Sequence, residues 1–167
     1  MEGQVKPIGS DTTGFELLTN AIRDLLNEYP GLDDNRVILF EELEPEFGIA
    51  FSADNGSLIM SENISVTDHV TQQCQYPFFV IYRTSAKMEN QKISVQSFLD
   101  NLGEWLSKEV VAINGNEYRL NEYPKLTGDR KITKITRMNS YGLEPNADGV
   151  QDWLLPVTVE YTKEYDI

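Results

Sequence analysis

Apolar positions along this chain follow two periods. Phe15, Leu18, Ile22, Leu25, Leu26 and Tyr29 recur at the three-and-four spacing that gathers side chains on one face of a helix. Asp11 or Thr13 is placed to cap that helix, and Pro30-Gly31 ends it near Tyr29. A second helical face runs through Val95, Phe98, Leu99, Leu102, Trp105 and Leu106, with Ser94 positioned to accept from the free N–H groups of its first turn.

Between and after these faces the pattern is that of strands. Residues 77–82 form a continuous apolar and aromatic block, too short for a helix and rich in side chains that suit a pleated surface. A short strand is expected at 37–40. Residues 47–51 and 57–60 flank Asp54-Asn55-Gly56, which predicts a hairpin, because Asn-Gly tolerates positive φ at both central positions. Ile64, Val66, Asp68 and Val70 alternate with Ser65, Thr67 and His69, predicting a strand that leads into the apolar block. A second Asn-Gly pair, Asn114-Gly115, predicts another hairpin. Residues 123–129 and 141–149 read as loops, and 132–138 as a polar strand.

A long closing strand is expected from Trp153 to Tyr165, with Leu155, Val157, Val159 and Tyr161 on one face. Pro156 cannot donate to a ladder, which predicts an edge position or a bulge. The whole predicts an α+β fold: a largely antiparallel, mixed sheet with two main helices packed on one face and β-hairpin extensions. Residues 1–12, polar and carrying Gly3, Pro7 and Gly9, read as an N-terminal arm, and 13–167 as a single structural domain.

Charge adds one piece of information. The 167 residues carry a formal net charge of −13, and it is unevenly spread. Residues 1–62 hold thirteen acids against three bases, and residues 63–167 fourteen acids against eleven bases. Such a chain is repelled by phosphate backbones, so duplex binding driven by charge is disfavoured, although a negative wall suits DNA that must pass without sticking. Against this background Lys125, Arg130, Lys131, Lys134 and Arg137 form a local reversal. They read either as lysines and arginines that protect a solvated edge strand or as an electrostatic subunit contact. Glu41, Glu42, Glu44 and Glu46 read as an exposed, solvated acidic turn.

Reactive chemistry is sparse. Cys74 stands alone, which excludes an internal disulfide, and with the single His69 it excludes a zinc site of the usual His/Cys type within one chain. Asp33-Asp34-Asn35 resembles the start of a calcium loop but lacks the glycine and the bidentate glutamate that should follow, so a turn is the better reading. Neither phosphate-binding glycine loops nor a Gly-x-Ser-x-Gly elbow appears. The expectation is a protein that is not an enzyme, with no catalytic residue, cofactor or metal. No apolar run approaches the roughly 20 residues needed to cross a bilayer. The start MEGQVKPIGSDTTG lacks the layout of a secretion signal, which predicts a cytoplasmic chain.

The segment from Tyr76 to Lys108 resembles a family of small phage structural proteins, the minor capsid or tail-terminator (tail completion) proteins of long-tailed phages and prophages. The matching residues are QYPFFVIYR at 75–83, FLDNLGEWL at 98–106 and a closing VTVEYTK at 157–163. The resemblance implies a virion protein of the tail or neck, present in the host cytoplasm during assembly. It implies a homo-oligomeric ring, commonly a hexamer, at the head-proximal end of the tail tube. Its partners would be further copies of itself, the tail tube protein and the head connector or stopper protein. DNA would only pass through the lumen, for whose lining or for a docking surface Glu41, Glu42, Glu44 and Glu46 are the candidates. No membrane would be involved, and the family brings no catalytic residues to carry over. Three other readings remain: a different neck or tail adaptor such as a connector stopper or tube subunit, a small acidic protein-binding module, and an enzyme using scattered carboxylates with a metal.

Overall fold

A computed structural model describes residues 6–33, 36–85 and 87–167. Among these residues ten strands and two helices follow one another, beginning with β1 (Gly9–Ser10), α1 (Thr12–Leu26), β2 (Leu39–Phe40), β3 (Gly48–Ala53), β4 (Leu58–Ile64) and β5 (His69–Thr84). Then come α2 (Glu89–Leu106), β6 (Val111–Ile113), β7 (Asn116–Tyr118), β8 (Arg130–Arg137), β9 (Tyr141–Gly142) and β10 (Gln151–Asp166). The fold is α+β. The backbone of the sheet is the β5–β10 ladder, sixteen antiparallel pairs running from Gln151↔Thr84 to Asp166↔His69. On the far side of β5 lie β3 and β4, and on the far side of β10 lie β8 and β9. Among the described residues only β2 pairs in parallel, with β3, so the sheet is mixed as the sequence predicts.

Alternation decides what the plate buries. Val70, Gln72, Cys74, Tyr76, Phe78 and Val80 of β5 are buried, as are Trp153, Leu155, Val157, Val159 and Tyr161 of β10. Both helices cover this one face. Thr19 of α1 meets the Tyr76 hydroxyl at 2.8 Å, and Tyr29 just past its end stacks near Phe98 and Trp105 of α2. Gly103 lets α2 approach closely: a Cβ there would lie 2.9 Å from Arg137 Cδ and 3.3 Å from Leu155 Cδ1. The opposite face of the sheet has no helix, and Pro77, Phe79, Ile81 and Leu154 are only half-buried there.

Several expectations are corrected. Asn55 and Gly56 do take positive φ, 70° and 69°, but the chain does not reverse at them. Both β3 and β4 run along the same side of β5, pairing with Arg83–Phe78 and Gln75–Val70 respectively. Residues 54–57 are an excursion in one interrupted strand, opposite Tyr76 and Pro77. The gap suits Pro77, whose carbonyl accepts from Asp54 N–H at 2.8 Å while its missing N–H faces the break. The true reversal is at 65–68, inside the strand expected from alternation. Ser65 N–H and the His69 carbonyl close it at 2.8 Å, and Asp68 adopts φ 61°. Pro156 uses the same device as Pro77. It lies neither at an edge nor at the bulge but in the gap between β8, which ends opposite Val157, and β9, which pairs Gly142 with Trp153. At Asn114-Gly115, by contrast, β6 and β7 form the predicted hairpin.

The second helix starts earlier than the apolar periodicity indicates. Ser94 does not cap it; its hydroxyl donates to the Asn90 carbonyl at 2.9 Å. The Gln91 side chain instead accepts from Lys87 and Met88 N–H at 3.1 and 3.2 Å. Replacing Gln91 with alanine is therefore expected to cost about 1 kcal/mol in urea unfolding, against less than about 0.5 kcal/mol for Ser94→Ala. The described part of the expected arm is tied down, since Gly9 and Ser10 pair with Ile59 and Leu58. Residues 1–5 of that arm lie outside the described residues, as do Asp34 and Asn35 of the calcium-like turn.

Candidate functional site

The five basic candidates do not form one surface. Arg130 is buried with its side chain 4 % exposed, and it forms a two-pronged ion pair with Asp11 at 2.7 and 2.9 Å. Asp11 also accepts from the Tyr161 hydroxyl at 2.7 Å and from Gly14 N–H at 3.1 Å, capping α1. Lys163 stands 3.8 Å away. Burial alone would raise the Asp11 pKa, but the Arg130 and Tyr161 hydrogen bonds and the Arg130 charge outweigh it and bring it to about 2. This cluster fastens the start of α1 to β8 and β10. The charge of Arg130 is thus spent inside its own chain.

Arg137 is also spent internally. Its stem lies under Gly103 and its guanidinium reaches Glu109 at 3.5 Å and Glu104 at 3.9 Å, holding the end of α2 to β8. The two arginines are paired within the chain for a common reason. They sit on the helix-facing side of β8, where the strand packs against its own chain.

Lys125, Lys131 and Lys134 remain exposed. They border a trough along the outer edge of β8, between that strand and the segment 122–126. One end, about 640 Å³, is lined by Tyr123, Leu126, Lys125 and Lys131. The other, about 500 Å³, is lined by Lys134, Thr136 and Glu109, and both share Lys108 and Tyr123. Tyr123 is fixed by donating to the Leu106 carbonyl at 2.9 Å, and Lys108 Nζ lies 4.4 Å from its ring centre. Among the described residues Lys108, Lys125, Lys131 and Lys134 have no carboxylate within ion-pair distance.

The acidic turn lies at the opposite side of the sheet. Glu41, Glu42, Glu44 and Glu46 are all exposed. Glu41 accepts from Ser52 at 2.9 Å, and the Glu44 carbonyl accepts from Arg83 at 3.3 Å. Arg83 itself grips Asp152 through two bonds of 2.8 and 3.0 Å across β5 and β10. Beside this turn is a cleft of about 460 Å³ lined by Val37, Leu39, Phe47, Ile49 and Tyr82, with Glu42 and Glu44 at its rim.

Two titratable groups remain. Cys74 is buried, and burial pushes its thiol up to about 11, which leaves it unreactive. His69 sits at the exposed end of β5, with Nδ1 2.7 Å from Asp166 and Nε2 3.3 Å from Glu164. The hydrogen bond to Asp166, then that to Glu164, raises its pKa above the usual 6.5. Because the folded value is the higher one, the stabilisation is complete below pH 6.5 and is lost as pH climbs through the raised value. Asp166→Asn is expected to lower the His69 midpoint in an NMR titration. In the unaltered protein, amide-exchange protection at Val70 and Tyr165 should fall above that midpoint.

Sequence reasoning missed the Asp11–Arg130 pair. Asp11 carried a capping signal, but no local pattern links it to a residue 119 positions away. It missed the exposed turn apex at Val66 as well, because alternation reads through it. Among the described residues no three His, Cys, Asp or Glu side chains are grouped to hold a metal ion, and no described helix is long and apolar enough to cross a membrane. The chain matches no protein-family model, and no curated protein is significantly similar to it.

Proposed function

We propose that this protein is a non-catalytic virion component, a tail terminator that forms a homo-oligomeric ring at the head-proximal end of the tail tube. In that position it stops tube polymerisation and offers a surface to the head connector. The observation that carries the reading is the rigid β5–β10 plate, sixteen residue pairs long, with helices on one face only and unlike charge along its two sides. The acidic turn 41–46 lies beyond β3, and the lysine-lined trough lies beyond β8. Opposed surfaces on one chain suit head-to-tail association, which closes into a ring when the rotation allows. The acid excess suits a lumen through which DNA slides without adhesion. Purified protein added to assembling tail tubes should cap them at one end and shorten the length distribution. Unchanged tube lengths and uncapped ends would remove the reading.

A second reading is favoured by the cleft beside the acidic turn, where Val37 and Phe47 are more than half exposed. An apolar recess with Glu42 and Glu44 on one part of its lining and Arg36 and Arg83 on another fits an extended segment of a protein partner, and on that reading the protein is a monomeric binding module. Light scattering with and without tail components separates the two, since only the first predicts self-association.

A further inference from the structure

We propose that the tip of the β4–β5 turn of one copy docks into the β8 trough of a second copy. This rests on the ring reading and names the two surfaces that would close it. The tip consists of residues 65–68 with Ile64, Tyr165 and Ile167 around them. A tight reversal calls for side chains that bond locally or accept positive φ. Ser65 meets that demand, its hydroxyl accepting from Thr67 and His69 N–H at 3.3 and 3.1 Å. Asp68 meets it with φ 61°. Nothing in the turn calls for Val66, yet a β-branched apolar side chain stands at the apex with an exposure of 102 %. Ile64 at 53 % and Ile167 at 76 % are further exposed apolar residues at this end of the sheet, and Asp68, Glu164 and Asp166 flank them, the last two against His69. Contiguous apolar surface with a polar rim marks a contact.

The trough is its complement in both respects. Its lining joins Tyr123 and Leu126 to Lys108, Lys125, Lys131 and Lys134, four lysines set against the two carboxylates Glu109 and Glu122. On a chain of net charge −13, Lys131 and Lys134 of β8 face this trough together with Lys108 after α2 and Lys125 before β8. The tip cannot reach the trough of its own chain. It is held at the end of a continuous ladder from Asp166↔His69 inward, and the trough lies on the outer side of β8 with β5, β10 and β8 between. The occupant is therefore a second copy, and the contact joins unlike surfaces, so it propagates in one direction.

The test uses two full-length variants, Val66→Lys/Thr67→Lys at the tip and Lys131→Glu/Lys134→Glu at the trough. All four side chains are exposed, and circular dichroism checks that each variant folds. Sedimentation of the unaltered chain over a wide concentration series should show self-association. Each variant alone should associate at least about tenfold more weakly. An equimolar mixture should recover at least a dimer, because the intact tip of one variant meets the intact trough of the other. If the unaltered chain associates and both variants associate equally well, the docking assignment fails while the ring reading stands. If mixing restores nothing, unlike surfaces are not in contact and the assignment fails. An unaltered chain that stays monomeric at every concentration and on tail tubes overturns both.

Discussion

Asp11→Ala is expected to destabilise the protein by about 3–5 kcal/mol, the usual consequence of leaving a buried charge without its partner. The Asp11 side chain is 1 % exposed and Arg130 4 %. Removing the carboxylate strands the Arg130 guanidinium, leaves the Tyr161 hydroxyl without its acceptor, and uncaps α1 at Gly14. With a urea m-value of about 2 kcal/mol/M the midpoint should fall by roughly 2 M. Arg130→Met tests the same pair from the other side and should be comparably harmful, because it leaves Asp11 buried and charged. A loss smaller than about 1 kcal/mol for both would show that the cluster does not secure the start of α1.

Acid should act on the same cluster with a defined sign. Asp11 titrates at about 2 in the fold against an ordinary 3.8. A depressed carboxylate contributes stability that is present above its unfolded value and lost as pH falls through the folded one. Between pH 4 and pH 2 the protein should therefore lose about 2 kcal/mol from this group alone. That loss should be absent in Asp11→Ala, which is the control that assigns it.

Phe78→Ala should cost about 3–5 kcal/mol, whereas Phe79→Ala should cost only about 1 kcal/mol. The two phenylalanines are consecutive in one apolar block, but the pleat sends them to opposite faces. Phe78 is 1 % exposed and touches Phe51 and Tyr76, with ring centres 5.9 Å away in each case. Its removal opens a cavity in the middle of the plate, where β3 and β10 flank it and cannot collapse inward. Phe79 lies on the face without helices, half-buried beside Ser52 and Pro156. Urea unfolding of the two variants gives the comparison directly. If they proved equal, the open face would have to be covered in the folded protein.

Local patterns were sufficient for the helical faces, the long strands and the class of fold. The helical face of α1 and the alternation of Leu155, Val157, Val159 and Tyr161 are properties of short windows, and burial follows them closely. Asn114-Gly115 behaved as expected because a two-residue reversal is decided by its own φ angles. Asn55-Gly56 has the same local chemistry and the same sign of φ but a different outcome. There β5 offers its edge to both flanking strands, and the long ladder wins over the hairpin. Val66 shows the converse error, since strict alternation cannot reveal that Asp68 turns left-handed and reverses the chain.

Charge was the least legible property. The five basic residues at 125–137 look alike in sequence, yet the pleat and the bulge near Thr133 divide the four on β8 between its two sides, and Lys125 lies on the segment beside it. Arg130 and Arg137 face their own helices and are neutralised within the chain, while Lys125, Lys131 and Lys134 face water. The sequence by itself determined the two helical faces, the long apolar strands and the acid excess, because these depend on periodicity and composition over a few residues. Only the tertiary structure decided which charges are buried and which remain available to a partner. Ion pairing and exposure depend on neighbours more than a hundred positions apart, and no local window contains them.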